Sequence, residues 1–198
     1  DLLQLCAQKY AELCYYTYDC TIARKNTAID LHFTFSPYEF RHLAGLHRLE
    51  HDRLRSNSER VFKAFSPASS HWPTCDRHII GAPRAKKILS RLEALSQLDT
   101  LMDEFLLLYG FSGEKLAAQT PPLRTKIDAD YLIKYQLPSG ITFFFVKQKD
   151  GYCGRSLFIN NELDYSRGQT KFTLLEKTKT NLRTGEQILL YRRSTYQK

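Results

Sequence analysis

Between Phe33 and Asp52 the chain gathers groups that handle protons and phosphate: His42, His47 and His51, the cations Arg41 and Arg48, and Asp52. Imidazole is the side chain that titrates near neutral pH, so paired histidines point to acid–base chemistry. Arginine presents a planar fork of donors to phosphate. On a helix starting at Pro37, Phe40, Leu43, Leu46 and Leu54 form one apolar arc. His47 falls inside that arc, His42 at its edge, and Gly45, Arg48 and Asp52 on the opposite side. A histidine at such an edge is either a core residue satisfied by backbone or a partly buried acid–base group. The second group of candidates lies near predicted strand ends: Arg155, Ser156, Tyr165 and Gln169. Lys87 and Arg91, four apart on a predicted helix, face either the same cleft or water.

A metal reading competes with this one. His47 and His51 are four apart, the spacing that brings two imidazoles to one ion, and His71-x-x-x-Cys75-x-x-His78 adds further ligand types. Neither pattern matches a standard zinc template, and we expect no cofactor and no metal. The five cysteines, Cys6, Cys14, Cys20, Cys75 and Cys153, are odd in number and lack a C-x-x-C pair. They read as reduced thiols of a cytoplasmic protein.

Charge narrows the partners. Twenty-nine Lys and Arg against twenty-one Asp and Glu give the 198-residue chain a net charge of +8. Residues 166–198 hold eight cations, Arg167 and Lys171 among them, against two carboxylates, a net +6. Interleaved with Tyr152, Phe158, Tyr165, Phe172 and Tyr191, they suit a polyanion with exposed bases, or else an ordinary solvated sheet face. No apolar run approaches the roughly 20 residues of a membrane span. Glycine-rich phosphate loops, a G-x-S-x-G elbow and paired carboxylates are missing, which argues against a nucleoside-triphosphate enzyme, an α/β hydrolase and a two-metal nuclease.

The elements that must position these groups read as follows. Residues 1–20 have the period of one helix, and Ile29–Phe35 alternates as a half-buried strand. Ser36-Pro37-x-Glu39 starts a helix predicted to reach about Ser56. A short helix over Glu59–Phe65 and a long one from Pro83 to Gly110 follow. From Asp128 the pattern turns extended, with strands at 131–136, 141–149, 152–160, 170–177 and 188–192 and an Asp150-Gly151 hairpin turn. Helices first and strands after give an α+β class: N-terminal helices (about 1–120) on a small, mostly antiparallel C-terminal sheet (about 128–193), one domain over 1–198.

The pattern Phe40-x-His42-Leu43-x-Gly45-Leu46-x-Arg48-Leu49-x-x-Asp52 after an alternating strand resembles the fourth phage-associated subfamily of the Barnase–EndoU–ColicinE5/D–RelE-like (BECR) nucleases. Asp128-Ala129-Asp130-Tyr131, Thr142-Phe143-Phe144-Phe145-Val146, Ser156-Leu157-Phe158 and Tyr165-x-x-Gly168-Gln169-x-x-Phe172 extend the resemblance over about 1–177. It implies helices on a small antiparallel sheet and a nuclease of phage, mobile elements or toxins, often one domain of a larger polypeptide. Where that family tends to have lysine in the helix, this chain has Arg48, which keeps the charge but donates a proton poorly.

The expectation is therefore a metal-independent endoribonuclease of the cytoplasm. His42 serves as base or acid with His47 second, and Arg48 and Arg155 stabilise charge. Ser156, Tyr165 and Gln169 position phosphate, with Tyr165 as a second proton carrier, and Arg167, Lys171, Lys87 and Arg91 bind substrate. The expected partners are RNA (tRNA or mRNA) and an antitoxin or immunity protein, with no membrane. The alternatives are a non-catalytic nucleic-acid-binding module of the same fold and a His/Cys metal protein.

Overall fold

The computed structural model describes residues 2–48, 58–65, 85–119, 125–135, 140–159 and 163–196. Helix α1 (Leu2–Leu13) buries Leu3, Cys6, Ala7, Tyr10 and Leu13 on one face. Strands β1 (Tyr16–Arg24) and β2 (Thr27–Phe33) form a hairpin. Helix α2 (Pro37–Leu43) and a 3₁₀ turn (Leu46–Arg48) follow, then α3 (Ser58–Phe65) and α4 (Ala85–Leu95). Next come α5 (Leu98–Glu104), β3 (Leu107–Gly110) and α6 (Gly113–Gln119). The chain ends in β4 (Tyr131–Tyr135), β5 (Ile141–Gln148), β6 (Gly151–Ile159), β7 (Thr170–Asn181) and β8 (Gln187–Arg192).

The class is α+β as expected, but the sheet is neither small nor open. Its order is β1-β2-β6-β5-β4-β3-β7-β8, and β7 also pairs with β1, which closes seven strands into a barrel. All pairings are antiparallel except the short β2–β6 contact, where Phe33 meets Tyr152. Closure pairs the edges of those seven strands and leaves β8 as the end strand on β7. It also surrounds a ring-rich interior: Phe33 lies 4.5 Å from Phe145, and Phe145 lies 4.2 Å from Phe143, centroid to centroid.

Two strands that close the barrel were predicted as helix. Tyr16, Tyr18 and Cys20 alternate within the segment read as the end of the first helix, and the alternation continues beyond it to Ile22. Their β-branched and aromatic neighbours favour the pleat once β2 and β7 are there to pair. The long helix from Pro83 also divides. Ser96 Oγ donates to Glu93 O at 2.8 Å and Gln97 Nε2 to the same carbonyl at 3.2 Å, so these side chains compete for the ladder. Leu107–Gly110 is then free to pair with β4 and β7.

Lys177 of β7 terminates α5. Its ammonium donates to the carbonyls of Met102 (3.1 Å), Asp103 (2.6 Å) and Phe105 (3.0 Å), groups that the helix end leaves unpaired. The side chain is buried, with the ammonium 4.1 Å from the centre of the Phe105 ring. Helix layer and barrel are thereby locked at one point. Replacing Lys177 with Met leaves those carbonyls buried without donors, so stability in urea denaturation should fall by about 2–4 kcal/mol. A loss under about 0.5 kcal/mol, the range of an ordinary surface change, would contradict this role.

Candidate functional site

Ser36 caps α2 in a full capping box. Its side chain accepts from the Tyr38 amide, and Glu39 Oε2 accepts from the Ser36 amide at 3.3 Å. Glu39 also accepts from Tyr10 Oη at 2.8 Å and from the Gly154 backbone on β6. One half-buried carboxylate thus ties the helix that carries His42 to the strand that carries Arg155 and Ser156. Burial is the main reason its pKa is raised, to about 7, against those hydrogen bonds. Strand β6 bulges at this point, where the register with β5 shifts between Phe144 and Phe145. A bulge re-aims the side chains beside it.

Helix α2 ends at Leu43 instead of running to about Ser56. Gly45 adopts φ +76, a left-handed conformation that ends helices and favours glycine. Close approach gives a second reason for glycine: a Cβ there would stand 2.9 Å from Arg91 Cδ. The chain then turns through Leu46–Arg48 and brings His47 back onto His42. The two rings stack at 4.5 Å with 15° between their planes.

Arg91 of α4 fills the space beside Gly45. It is only 5% exposed. Its Nη1 donates to the carbonyl of His42 at 3.3 Å, and its guanidinium lies 4.7 Å from the centre of the Phe158 ring. Phe158 stacks on Tyr165 at 5.7 Å, and both rings pack against Phe144. Among the described residues no carboxylate forms an ion pair with Arg91. Burial lowers its pKa to about 10, helped by Arg48 and opposed by Tyr165.

These groups line one cleft of about 410 Å³. Its walls hold His42, Arg48, Arg91, Arg155, Ser156, Phe158 and Tyr165, with Thr125, Lys126, Ile127 and Leu163 opposite. Among the described residues its lining has four cations, Arg48, Arg91, Lys126 and Arg155, and no carboxylate, which suits an anion. His42 is open to solvent on the cleft side. Partial burial is the first cause that lowers its pKa from 6.5, followed by the charges of Arg155, Arg91, Arg48 and Arg41. His47 is lowered further, to about 4, by burial first and then by His42, Arg48 and Arg91, against a hydrogen bond with the Arg41 backbone. Among the described residues its Nδ1 is buried without a hydrogen-bond partner. At neutral pH both rings are neutral, which leaves His42 able to accept a proton.

Of the residues singled out from the sequence, His42, Arg48, Arg91, Arg155, Ser156 and Tyr165 meet in the cleft, and His47 stands behind His42 as its stacking partner. Four others lie elsewhere. Gln169 clamps the loop before α6, accepting from the Ser112 amide at 2.8 Å and donating to its carbonyl at 3.0 Å. Lys87, Arg167 and Lys171 are solvent-exposed and do not line the cleft. Of the proposed metal ligands, His51, His71, Cys75 and His78 fall outside the described residues. Sequence reasoning missed Lys126 and Thr125, which come from a stretch without periodicity, and Phe158 as the platform under Arg91. The spacing of Gly45 before a basic turn was the available signal for the packing of Arg91.

No helix of the described residues is long and apolar enough to cross a membrane. Comparison with curated proteins and with solved structures gives no match. A family model does match, over residues 2–194, nearly the whole chain. The cationic cleft, the histidine on its rim and that match agree: the chain belongs to the phage-Barnase-EndoU-ColicinE5/D-RelE like nuclease4 family.

Proposed function

We propose that the chain is a metal-independent endoribonuclease that cleaves RNA by attack of a 2′-hydroxyl on the adjacent phosphorus. The carrying observation is Arg91, a nearly buried cation without a carboxylate partner among the described residues, at the wall of a cleft that also holds Arg48, Arg155 and neutral His42. A desolvated charge is costly until it is paired. A phosphodiester supplies the missing anion.

In this mechanism His42 takes the proton of the 2′-hydroxyl. The freed oxygen bonds to phosphorus, and charge grows on the non-bridging oxygens of a pentacoordinate transition state. Arg48, Arg91 and Arg155 face that charge, and the Ser156 hydroxyl donates to one of those oxygens. The bond to the 5′-oxygen breaks, and that oxygen takes a proton from the Tyr165 phenol. The products are a 2′,3′-cyclic phosphate and a 5′-hydroxyl. His47 acts through His42: the stacked ring holds the base in place and disfavours a second positive charge beside it.

Incubation with a mixed RNA pool in excess EDTA should yield fragments with cyclic phosphate ends. His42→Ala should lower the rate at least about 100-fold, the usual contribution of a positioned acid–base group, while circular dichroism stays unchanged. Full activity of that variant contradicts the assignment. Retained RNA binding with no cleavage by either protein indicates a binding module instead.

The pH dependence has a defined sign. The lowered pKa of His42 keeps it neutral at pH 7, and cleavage should fall as pH drops through a value below 6.5. In the same range the unfolded chain binds more protons at His42 and His47, so stability also falls with pH from about 6.5 downward. Ring-proton NMR should give midpoints below 6.5 for His42 and near 4 for His47. A His42 midpoint above 6.5 contradicts the electrostatic picture.

A further inference from the structure

A second depression opens at one end of the barrel, lined by none of the residues that the catalytic proposal uses. Its volume is about 290 Å³. Tyr131 of β4, Tyr152 of β6 and Phe172 of β7 line it, with Tyr131 5.2 Å from Tyr152 and 5.9 Å from Phe172, edge to face. The hydroxyls of Tyr131 and Tyr152 are hydrogen-bonded to each other. All three residues pack against the core but are only partly buried, so part of each ring is left at the mouth. Gly110 leaves the entrance open: a Cβ there would lie 3.1 Å from Phe172 Cε2.

The rim is polar and carries both charges. Lys115 is exposed, with its ammonium donating to Thr170 Oγ1 at 3.0 Å. Asp130 is exposed on the other side, where one carboxylate oxygen accepts from the Lys147 amide at 2.7 Å. A slot between steeply inclined rings, with 80° and 64° between their planes, and a cation and an acceptor on its rim match an unstacked nucleobase with its phosphate. Stacking on such rings is tolerant of base type and contributes about 1–3 kcal/mol per base.

Position favours a strand over a free ligand. Phe111, in the pocket wall, packs edge-on against Phe144 at 5.0 Å. Phe144 packs against Tyr165 of the cationic cleft at 5.2 Å. Two ring-to-ring steps therefore separate the sites, a span within reach of neighbouring nucleotides of one strand.

We infer that the barrel mouth formed by Tyr131, Tyr152 and Phe172 holds a splayed base of the single-stranded RNA whose phosphate occupies the Arg91 cleft. This rests on the ribonuclease reading. The occupant is a base of the bound strand, and Lys115 contacts its phosphate.

Ring-proton NMR of the full chain tests it. Nucleoside 5′-monophosphates and the matching nucleosides are titrated into the wild type, and a short unstructured RNA into His42→Ala. Ring signals of Tyr131, Tyr152 and Phe172 should shift in all three titrations. Lys115→Ala should weaken monophosphate binding about fivefold, as an exposed ion pair does, and leave nucleoside binding unchanged. Gly110→Ala should weaken both about tenfold by pushing Phe172 into the mouth, a loss within the range of one stacking contact. Absence of ring shifts with every ligand overturns the inference, as does a response to free nucleotides but not to the RNA. RNA cleavage in EDTA, scored on the same wild-type preparation, separates the two failures: a silent pocket with intact cleavage removes the base site and leaves the nuclease reading.

Discussion

The placement of one guanidinium organises the site. Arg91 leaves α4, passes beside Gly45, donates to the last turn of α2 through the His42 carbonyl and lies over Phe158 of the barrel. Helix layer, the turn that carries the two histidines, and sheet therefore meet on a single side chain. Each contact fixes its partner as well. Gly45 must be glycine because the arginine occupies the volume of a Cβ and because φ is positive. Phe158 must stay flat under the charge, and Tyr165 keeps it so by stacking. Among the described residues no carboxylate neutralises the cation held there, which suits it to bind an anion.

The closed barrel is what makes this placement rigid. β6 is held by β5 along its length and by β2 at one end. Glu39 ties its bulge to the start of α2. Arg155 and Ser156 come from that strand, and His42 from that helix, so the two halves of the site share one carboxylate as a spacer. On the far side, Lys177 joins the end of α5 to β7 through three carbonyls. Site and scaffold use the same device, a polar side chain drawn at least partly out of water that spans helix and strand through several hydrogen bonds.

Much of this was legible in the residues. The capping box Ser36-Pro37-x-Glu39 marks the start of α2, and the strands from Tyr131 onward alternate or carry turn signals such as Asp150-Gly151. His42 and Arg155 stood out as chemistry by type, and Gly45 by its place in the family pattern. What sequence periodicity could not supply were the long-range pairings. Tyr16–Arg24 has residues compatible with a helix until β7 pairs with it, and Leu107–Gly110 is a short apolar run that either helix or strand accepts. Missing both strands turns a barrel into an open sheet. The end of α2 at Leu43 is marked locally by Gly45 at positive φ, whereas the packing of Arg91 beside it comes from 49 residues away in the chain, which no local rule reveals. Gln169 looked like a ligand group because its amide is polar and near a strand end. Its two bonds to Ser112 form only when the loop before α6 folds against β7.

The central claim is that the substrate supplies its own nucleophile and that His42 only activates it. The direct test compares an RNA oligonucleotide pool with its fully 2′-O-methylated counterpart, in EDTA, at matched protein concentration. The account predicts that both pools bind and that only the unmodified RNA is cut. Equal cleavage of the methylated pool would contradict it, because no 2′-hydroxyl would then be available to attack and the nucleophile would have to come from elsewhere.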